Sequence, residues 1–490
     1  MAFISSMEKE LNKSVYTENG ALSNASTLNS VLDFFSKSGA LRGDQNTALK
    51  LFKDALCEDE LLAKKALFYS RDVRGGQGER SNFRFILHSF ADSHPESLRP
   101  NVQYIPEFGR WDDIYSLLDT KCETEALSLI KKQFEQDIKD LEGDKNVSLL
   151  GKWLKSENAS SSESKRVAKR IRKYLGLNSK EYRQALSKLR AKIDIVERNM
   201  TLKQWEDINY SHIPSNAMKL YTKAFQKHDH ERYAQYLADV AAGKSKINAS
   251  TLYPYDIACK YLNGNVSEEE NATLEALWNN LPNYFKDGEY NTLCVVDVSG
   301  SMYWGRSTPR PIDVAISLGL YMAERNKGPL KDYFLTFSEK PEVVKVKGAT
   351  LKDRIEGMSN ANWGYNTNLL RVFEVILEIV QTHNLSVEEI PKKIFIISDM
   401  QFDAAISNSN KTTFENIDAM FKKANVQRPD LIFWNVNAHS DTPVTKDEHG
   451  TFLVSGASPS ILAHALNSEA VTPLELMLDV LNSERYSCIQ

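Results

Sequence analysis

No stretch of this 490-residue sequence stays apolar over the length needed to cross a bilayer, so a helical membrane protein is excluded. The opening residues, Met1 to Lys9, hold too few apolar side chains for a signal-peptide core, and secretion is not expected. Cysteine is scarce. Cys57, Cys122, Cys259, Cys294 and Cys488 are scattered, odd in number and without metal-ligand spacing. That argues against a disulfide framework and a thiolate metal site and for a reducing compartment, so a cytoplasmic protein with buried or idle thiols is expected. The marks of an enzyme are missing too. There is no nucleophile–base pair, no nucleotide loop and no pair of catalytic carboxylates, and His212, His383 and His439 each stand alone in sequence and read as structural or surface histidines. A non-enzymatic protein is therefore expected.

A strong net charge is also lacking, at −4 formally, and 42% hydrophobic with 26% charged residues is ordinary globular composition. The length exceeds what one hydrophobic core serves, so two or more domains are expected. The near balance of charge conceals a split. Residues Gly151 to Ser250 hold 21 Lys+Arg against 10 Asp+Glu, a balance of +11 that leaves −15 on the rest of the chain. A basic segment of that kind suits a polyanionic partner.

From about Thr27 to Tyr236 the pattern is helical with short breaks. Leu61, Leu62, Ala66 and Tyr69 form one helical stripe, and Phe83, Phe85, Ile86 and Phe90 mark a second helix from near Glu79. Between them, Gly75-Gly76-Gln77-Gly78-Glu79-Arg80 lacks the Lys-Ser/Thr ending and the preceding strand of a phosphate loop, and reads as a helix-to-helix turn. Gly-rich turns between short amphipathic helices predict an α-solenoid of HEAT-like helix pairs over residues 1–287, although no strict period is visible. Ser160-Ser161-Ser162-Glu163 has capping-box spacing and opens a basic helix. Arg166, Lys169, Arg170 and Lys173 share one face of it, with Val167, Ile171 and Tyr174 on another. Lys188, Arg190 and Lys192 follow, then a single-face stripe of Lys219, Lys223 and Lys227. These seven cations from Arg166 to Lys192 are the expected RNA contacts, and Tyr174, Tyr182, Trp205, Tyr210 and Tyr221 could stack bases. The bland alternative is a solvated basic face.

A helix from Ser267 to Asn283 leads to a boundary near residues 287–290, and the alternation then changes. Strands at Leu293–Asp297, Asp332–Phe337, Lys393–Ser398 and Leu431–Trp434 alternate with helices at Ile312–Arg325, Leu369–Val380, Phe414–Ala424 and Leu474–Leu481. This predicts a doubly wound parallel sheet over residues 288–490, with ligand beyond the carboxyl ends of its strands. At that edge Asp297, Ser299 and Ser301 follow the first strand. Thr367 precedes a helix, Asp399 ends a later strand, and Asp403 is a possible outer carboxylate. Two carboxylates and three hydroxyls are hard oxygen donors that suit Mg²⁺ or Mn²⁺. The uncharged hydroxyls leave the ion electrophilic, so it can take an acidic oxygen from a partner. The alternative is a chance Asp-x-Ser-x-Ser turn.

Asp297-Val-Ser-Gly-Ser-Met302, Thr367 and Ser398-Asp399 resemble the metal-ion-dependent adhesion site (MIDAS) of von Willebrand factor A-type domains, which integrins share. A helical region before such a domain resembles the Ro autoantigen (TROVE-module) proteins. The resemblance is closer to a Ro-like family of plants, fungi, large DNA viruses and phages. It is carried by Leu67-Phe-Tyr-Ser-Arg-Asp-Val-Arg-Gly-Gly-Gln-Gly-Glu-Arg80, Phe108-Gly-Arg-Trp-Asp-Asp113, Lys152-Trp-Leu-Lys-Ser-Glu-Asn158 and Ile193-Asp-Ile-Val-Glu-Arg-Asn199. The resemblance implies a monomeric ribonucleoprotein scaffold whose helices curve into a ring, bringing the stretches near Leu32–Phe35 and Leu49–Phe52 toward the A-type domain. It implies small structured or single-stranded-tailed RNA as ligand, and metal ligation by Asp297, Ser299, Ser301, Thr367 and Asp399. A protein–protein adaptor acting through the metal site, without RNA, is the alternative.

Overall fold

Polar caps set the helical phase of the first half of the chain. Asn29, Asp44 and Asp59 each accept a hydrogen bond from a backbone N–H of the first helical turn, starting Ser30–Lys37, Gln45–Glu58 and Glu60–Arg71. The computed structural model describes Met7 and residues 14–264, 266–285, 291–303, 309–337, 341–360, 368–386, 388–404 and 411–490. The second helix of the Gly-rich turn is Ser81–Ser93, and the basic helix is Ser162–Tyr174. The side chain capping the basic helix is Ser161, which accepts from Ser164 N, one residue later than the capping-box spacing suggested. Segments Arg99–Tyr104, Trp111–Leu117, Trp205–Asp207 and Tyr210–His212 are tight 3-10 turns, in keeping with the lack of a strict repeat. Glu268–Asn279, opened by a capping box of Ser267 and Glu270, ends the helical region.

The second half is an α/β unit. Strands β3 (Thr292–Val296), β4 (Tyr333–Thr336), β5 (Val343–Lys345), β6 (Lys393–Ser398), β7 (Asp430–Asn435) and β8 (Thr451–Ser455) lie in the order β5-β4-β3-β6-β7-β8. All neighbours are parallel except β4 and β5. The sheet is thus mixed, which corrects the wholly parallel expectation. The connection from Thr336 to Val343 is too short for a crossover and permits only an antiparallel return. Helix Leu351–Ser359 and strands β5 and β8 have weak or short apolar signals and escaped the sequence reading. So did an N-terminal hairpin, β1 (Ser14–Tyr16) with β2 (Leu22–Asn24).

The two regions meet at both ends of the helical run. Ser30–Lys37 packs against β8, and Gln45–Glu58 lies against that helix. Gly39 and Gly456 allow the closest approach: a Cβ on Gly39 would sit 2.9 Å from the Gly456 Cα, and Gly456 holds φ at +95°. Gln77, in the Gly-rich turn, donates to Ser455 Oγ at 3.1 Å, and Ser460 donates to Gly76 O at 3.0 Å. That turn is a structural joint, as its lack of a phosphate-loop ending suggested. At the other end Trp278 donates its indole N–H to Glu324 at 2.7 Å, and Arg354 bridges Glu275 and Glu324. The helical region therefore leaves the α/β unit and returns to it.

Candidate metal site and nucleic-acid surface

The chain runs from β3 toward β4 on one side and from β6 toward β7 on the other, so strand order reverses between β3 and β6. A crevice opens outside the carboxyl ends of strands at such a reversal. Both carboxylates of the sequence motif are there. Asp297 leaves β3 with its N–H still bonded to Ile397 O at 2.9 Å, and Asp399 follows β6 directly. Their side chains are buried, at 1% and 0% exposure. Asp297 Oδ1 accepts from Ser299 N at 2.8 Å, and its Oδ2 accepts from Ser398 Oγ at 2.6 Å. Ser299 and Ser301 exchange a hydroxyl hydrogen bond at 3.1 Å. Thr367 lies outside the described residues.

The electrostatics of this cluster are unfavourable without a cation. Burial, then the facing Asp399 carboxylate, raise Asp297 above the ordinary carboxylate range. Burial likewise raises Asp399, against the hydrogen bond from Ser301, and Glu18 adds further repulsion. Asp399 Oδ1 accepts from Gln401 N at 3.2 Å, but Oδ2 is buried with no hydrogen-bond partner among the described residues. A buried carboxylate oxygen left unmatched is costly. No group of three or more His, Cys, Asp or Glu suited to a metal occurs among the described residues. The donors here are instead two carboxylates and hydroxyls, a set that fits a hard cation.

Several further groups surround the crevice. Ser398, the residue before Asp399, orients Asp297. Met400 takes the left-handed conformation, φ 64°, with its N–H on Ser398 Oγ at 3.0 Å. A side chain in that region marks local strain, which clusters at functional sites. Gln401 accepts from Glu18 N at 2.6 Å and donates to Asp441 at 2.9 Å, which ties the N-terminal hairpin onto the rim. His439 stands between Glu18 and Asp399, 3.5 Å and 4.0 Å from their carboxylates. Asp403 pairs through its backbone with Gly20 across the same seam. The contacts of Gln401 and His439 could not be read from spacing, because Glu18, Asp441 and Asp399 are remote from them in sequence.

The basic helix is more occupied than its charge suggested. Arg166 pairs with Glu163 and Asp119, and Arg170 with Asp119 and Glu123. Arg190 donates to Gly151 O at 3.1 Å and Leu154 O at 2.7 Å, and Lys192 pairs with Asp144 at 2.5 Å. Lys169, Lys173 and Lys188 are exposed and have no ion pair among the described residues. Of the later stripe, Lys219 is bound by Asp256 and Lys223 by Glu270. Tyr182 and Tyr210 cannot stack bases, since both are buried and donate to Lys155 O and Asp229. Trp205 is stacked on His228 at 4.5 Å, Tyr174 shares a hydroxyl hydrogen bond with Ser128, and Tyr221 donates to Glu197. Long Arg side chains find acidic partners across helix boundaries, which helical periodicity cannot reveal.

The family model described as domain of unknown function DUF2828 matches residues 17–148 and 150–288, more than half the chain. The chain belongs to that family. A second model, described as domain of unknown function DUF7788, matches residues 291–485, the α/β unit. A relative named "Uncharacterized protein L728" from Acanthamoeba polyphaga mimivirus is 28% identical over 507 residues, covering 95% of this chain and 87% of the relative. Its source is a large DNA virus, one of the groups the sequence resemblance named. Among solved structures, the Deinococcus radiodurans RO (RSR) protein aligns over 92% of both chains at 14% identity with a TM-score of 0.44. No helix among the described residues is long and apolar enough to cross a membrane, and all five cysteines are free.

Proposed function

We propose that this protein is a non-enzymatic cytoplasmic scaffold, built of Ro-like helical repeats and a von Willebrand A-type unit. In this reading a cation at the switch point of the sheet captures an acidic group of a partner protein. The observation that carries this is the buried Asp297–Asp399 pair, whose repulsion, with no hydrogen bond to Asp399 Oδ2 among the described residues, favours a positive ion. Asp297, Ser299, Ser301 and Asp399, with Thr367, would hold Mg²⁺ or Mn²⁺, and the ion would supply an electrophilic coordination position. The chain's own part is to keep the donors dry and oriented. Ser398 and the Ser299 N–H fix Asp297, and the Gln401 N–H fixes one oxygen of Asp399. Calorimetric titration with MnCl₂ tests this. One site per chain is expected, lost in Asp297→Ala and Asp399→Ala, and a wild-type chain that binds neither Mn²⁺ nor Mg²⁺ would remove the reading.

A second reading, RNA binding by the helical region, is favoured by the exposed Lys169, Lys173 and Lys188 within a segment of strong positive balance. Contacts from flexible cations to phosphates are insensitive to sequence and sensitive to salt. Small RNA with a single-stranded tail is the proposed ligand. Binding of such an RNA, measured against salt, should show a negative slope of log K on log salt. Salt-independent or undetectable binding would leave only the adaptor role.

A further inference from the structure

We propose that Arg80, Arg84 and Arg110, beside the indole of Trp153, form a phosphate-binding cleft for the backbone of single-stranded RNA. The choice of RNA rests on the second reading above; the cleft itself rests on an imbalance of charge. Asp113 is fully buried and accepts from Arg71 Nε at 2.8 Å, Arg84 Nε at 2.6 Å and Arg110 N at 2.8 Å. Asp112 takes Arg110 through two bonds, at 3.0 and 2.9 Å, and Arg84 at 2.8 Å. Two carboxylates thus serve three guanidiniums. A fourth, on Arg80, reaches the surface and makes no close ion pair among the described residues, with Asp112 the carboxylate that acts on it. Partial burial, then repulsion by Arg110 and Arg84, lower the Arg80 pKa against the attraction of Asp112, as expected where cations outnumber anions. The chain packs its backbone tightly to hold this group. A Cβ on Gly109 would fall 2.2 Å from Asp113 Oδ2 and 2.9 Å from Arg71 Nε.

The neighbouring helix Leu150–Trp153 and the loop that follows it are pinned at several points as a platform. Arg190 holds the carbonyls of Gly151 and Leu154, Tyr115 donates to Trp153 O at 2.9 Å, and Tyr182 donates to Lys155 O at 2.9 Å. Arg190, which the sequence suggested as an RNA contact, instead supports this loop from beneath. The Arg110 guanidinium lies 4.1 Å from the centre of the Trp153 ring, and Lys152 Nζ lies 5.8 Å from it. Stacking on the ring fixes the guanidinium plane, so less freedom is lost when it grips a ligand. Planar forked donors in excess suit the tetrahedral oxygens of a phosphodiester. A flat guanidinium–indole stack offers a base face a surface that only an unpaired strand can use.

The test uses the full chain and a fluorescein-labelled 15-nucleotide oligouridylate, followed by anisotropy at several salt concentrations. Arg80→Glu is the main variant, because that side chain makes no ion pair whose loss would unfold the protein. It should bind roughly tenfold more weakly or worse, with the salt slope shallower by about 0.7 for one lost phosphate contact on a single strand. Arg80→Lys should recover most of the affinity. Should Arg80→Glu bind as wild type while Lys169→Ala/Lys173→Ala/Lys188→Ala loses affinity, the cleft is wrong and the RNA reading stands. Should the wild-type chain bind no oligouridylate, both fall. Polyglutamate competing as effectively as RNA would also overturn the proposal, by marking a surface for acidic proteins.

Discussion

Replacing Asp72 by alanine should cut the strongest polar link between the helical region and the end of the chain. Asp72 closes helix Glu60–Arg71 and is fully buried. Arg485 donates to both of its oxygens, one at 2.6 Å, Tyr486 donates to Oδ2 at 3.0 Å and Arg74 N to Oδ1 at 3.0 Å. Tyr486, 1% exposed, stacks on Phe108 at 5.5 Å and meets Tyr69 edge-on at 6.0 Å. Alanine strands the buried Tyr486 hydroxyl, at about 1–3 kcal/mol. Breaking a buried ion pair costs about 3–5 kcal/mol, but the Arg485 side chain is 31% exposed and can be rehydrated. A total near 3 kcal/mol follows, from the lower end of those ranges. Asp72→Asn keeps one acceptor oxygen, which can serve Tyr486, but loses the charge and the second acceptor, so about 1–3 kcal/mol is expected. Urea denaturation followed by tryptophan fluorescence measures both, and limited proteolysis should show earlier cleavage near the C-terminus in Asp72→Ala. A loss under about 0.5 kcal/mol, with unchanged cleavage, would refute the claim that this contact joins the two regions.

Three further outcomes follow from the same geometry. In the cation-free protein, Asp297 and Asp399 hold protons at pH values where the unfolded chain has released them, so stability should fall as pH rises from the ordinary aspartate range toward neutrality. Asp297→Asn should flatten that slope in thermal melts, and Mg²⁺ or Mn²⁺ at about 100 times its Kd should restore roughly 2.7 kcal/mol to wild type alone. Arg166→Ala/Arg170→Ala should change RNA affinity less than twofold by filter binding, because both side chains are already neutralised by Asp119, Glu123 and Glu163. Gln401→Ala should cost about 1–3 kcal/mol in denaturant and expose the hairpin of residues 14–24 to protease, since Gln401 is the acceptor for Glu18 N and a donor to Asp441.

Elements whose signal is local could be read from the residues alone. β6 was legible to the residue, because Lys393-Ile-Phe-Ile-Ile-Ser398 is an apolar run closed by an aspartate. Helices Pro311–Arg325, Leu369–His383 and Thr413–Ala424 followed from periodicity and caps, within three residues at each end. That Asp297, Ser299, Ser301 and Asp399 meet at one edge of the sheet was legible too, since strand ends at a reversal of strand order must converge. Tertiary structure alone decided what surrounds them. Gln401 beneath the Glu18 backbone and His439 beside Asp399 are contacts between segments that carry no mutual pattern in sequence. The same holds for the basic face, where Arg170 is neutralised by acids on other elements while Lys169 beside it is left to solvent. Backbone periodicity is a property of neighbours along the chain. Charge pairing and burial depend on which elements pack together, and only the folded chain fixes that.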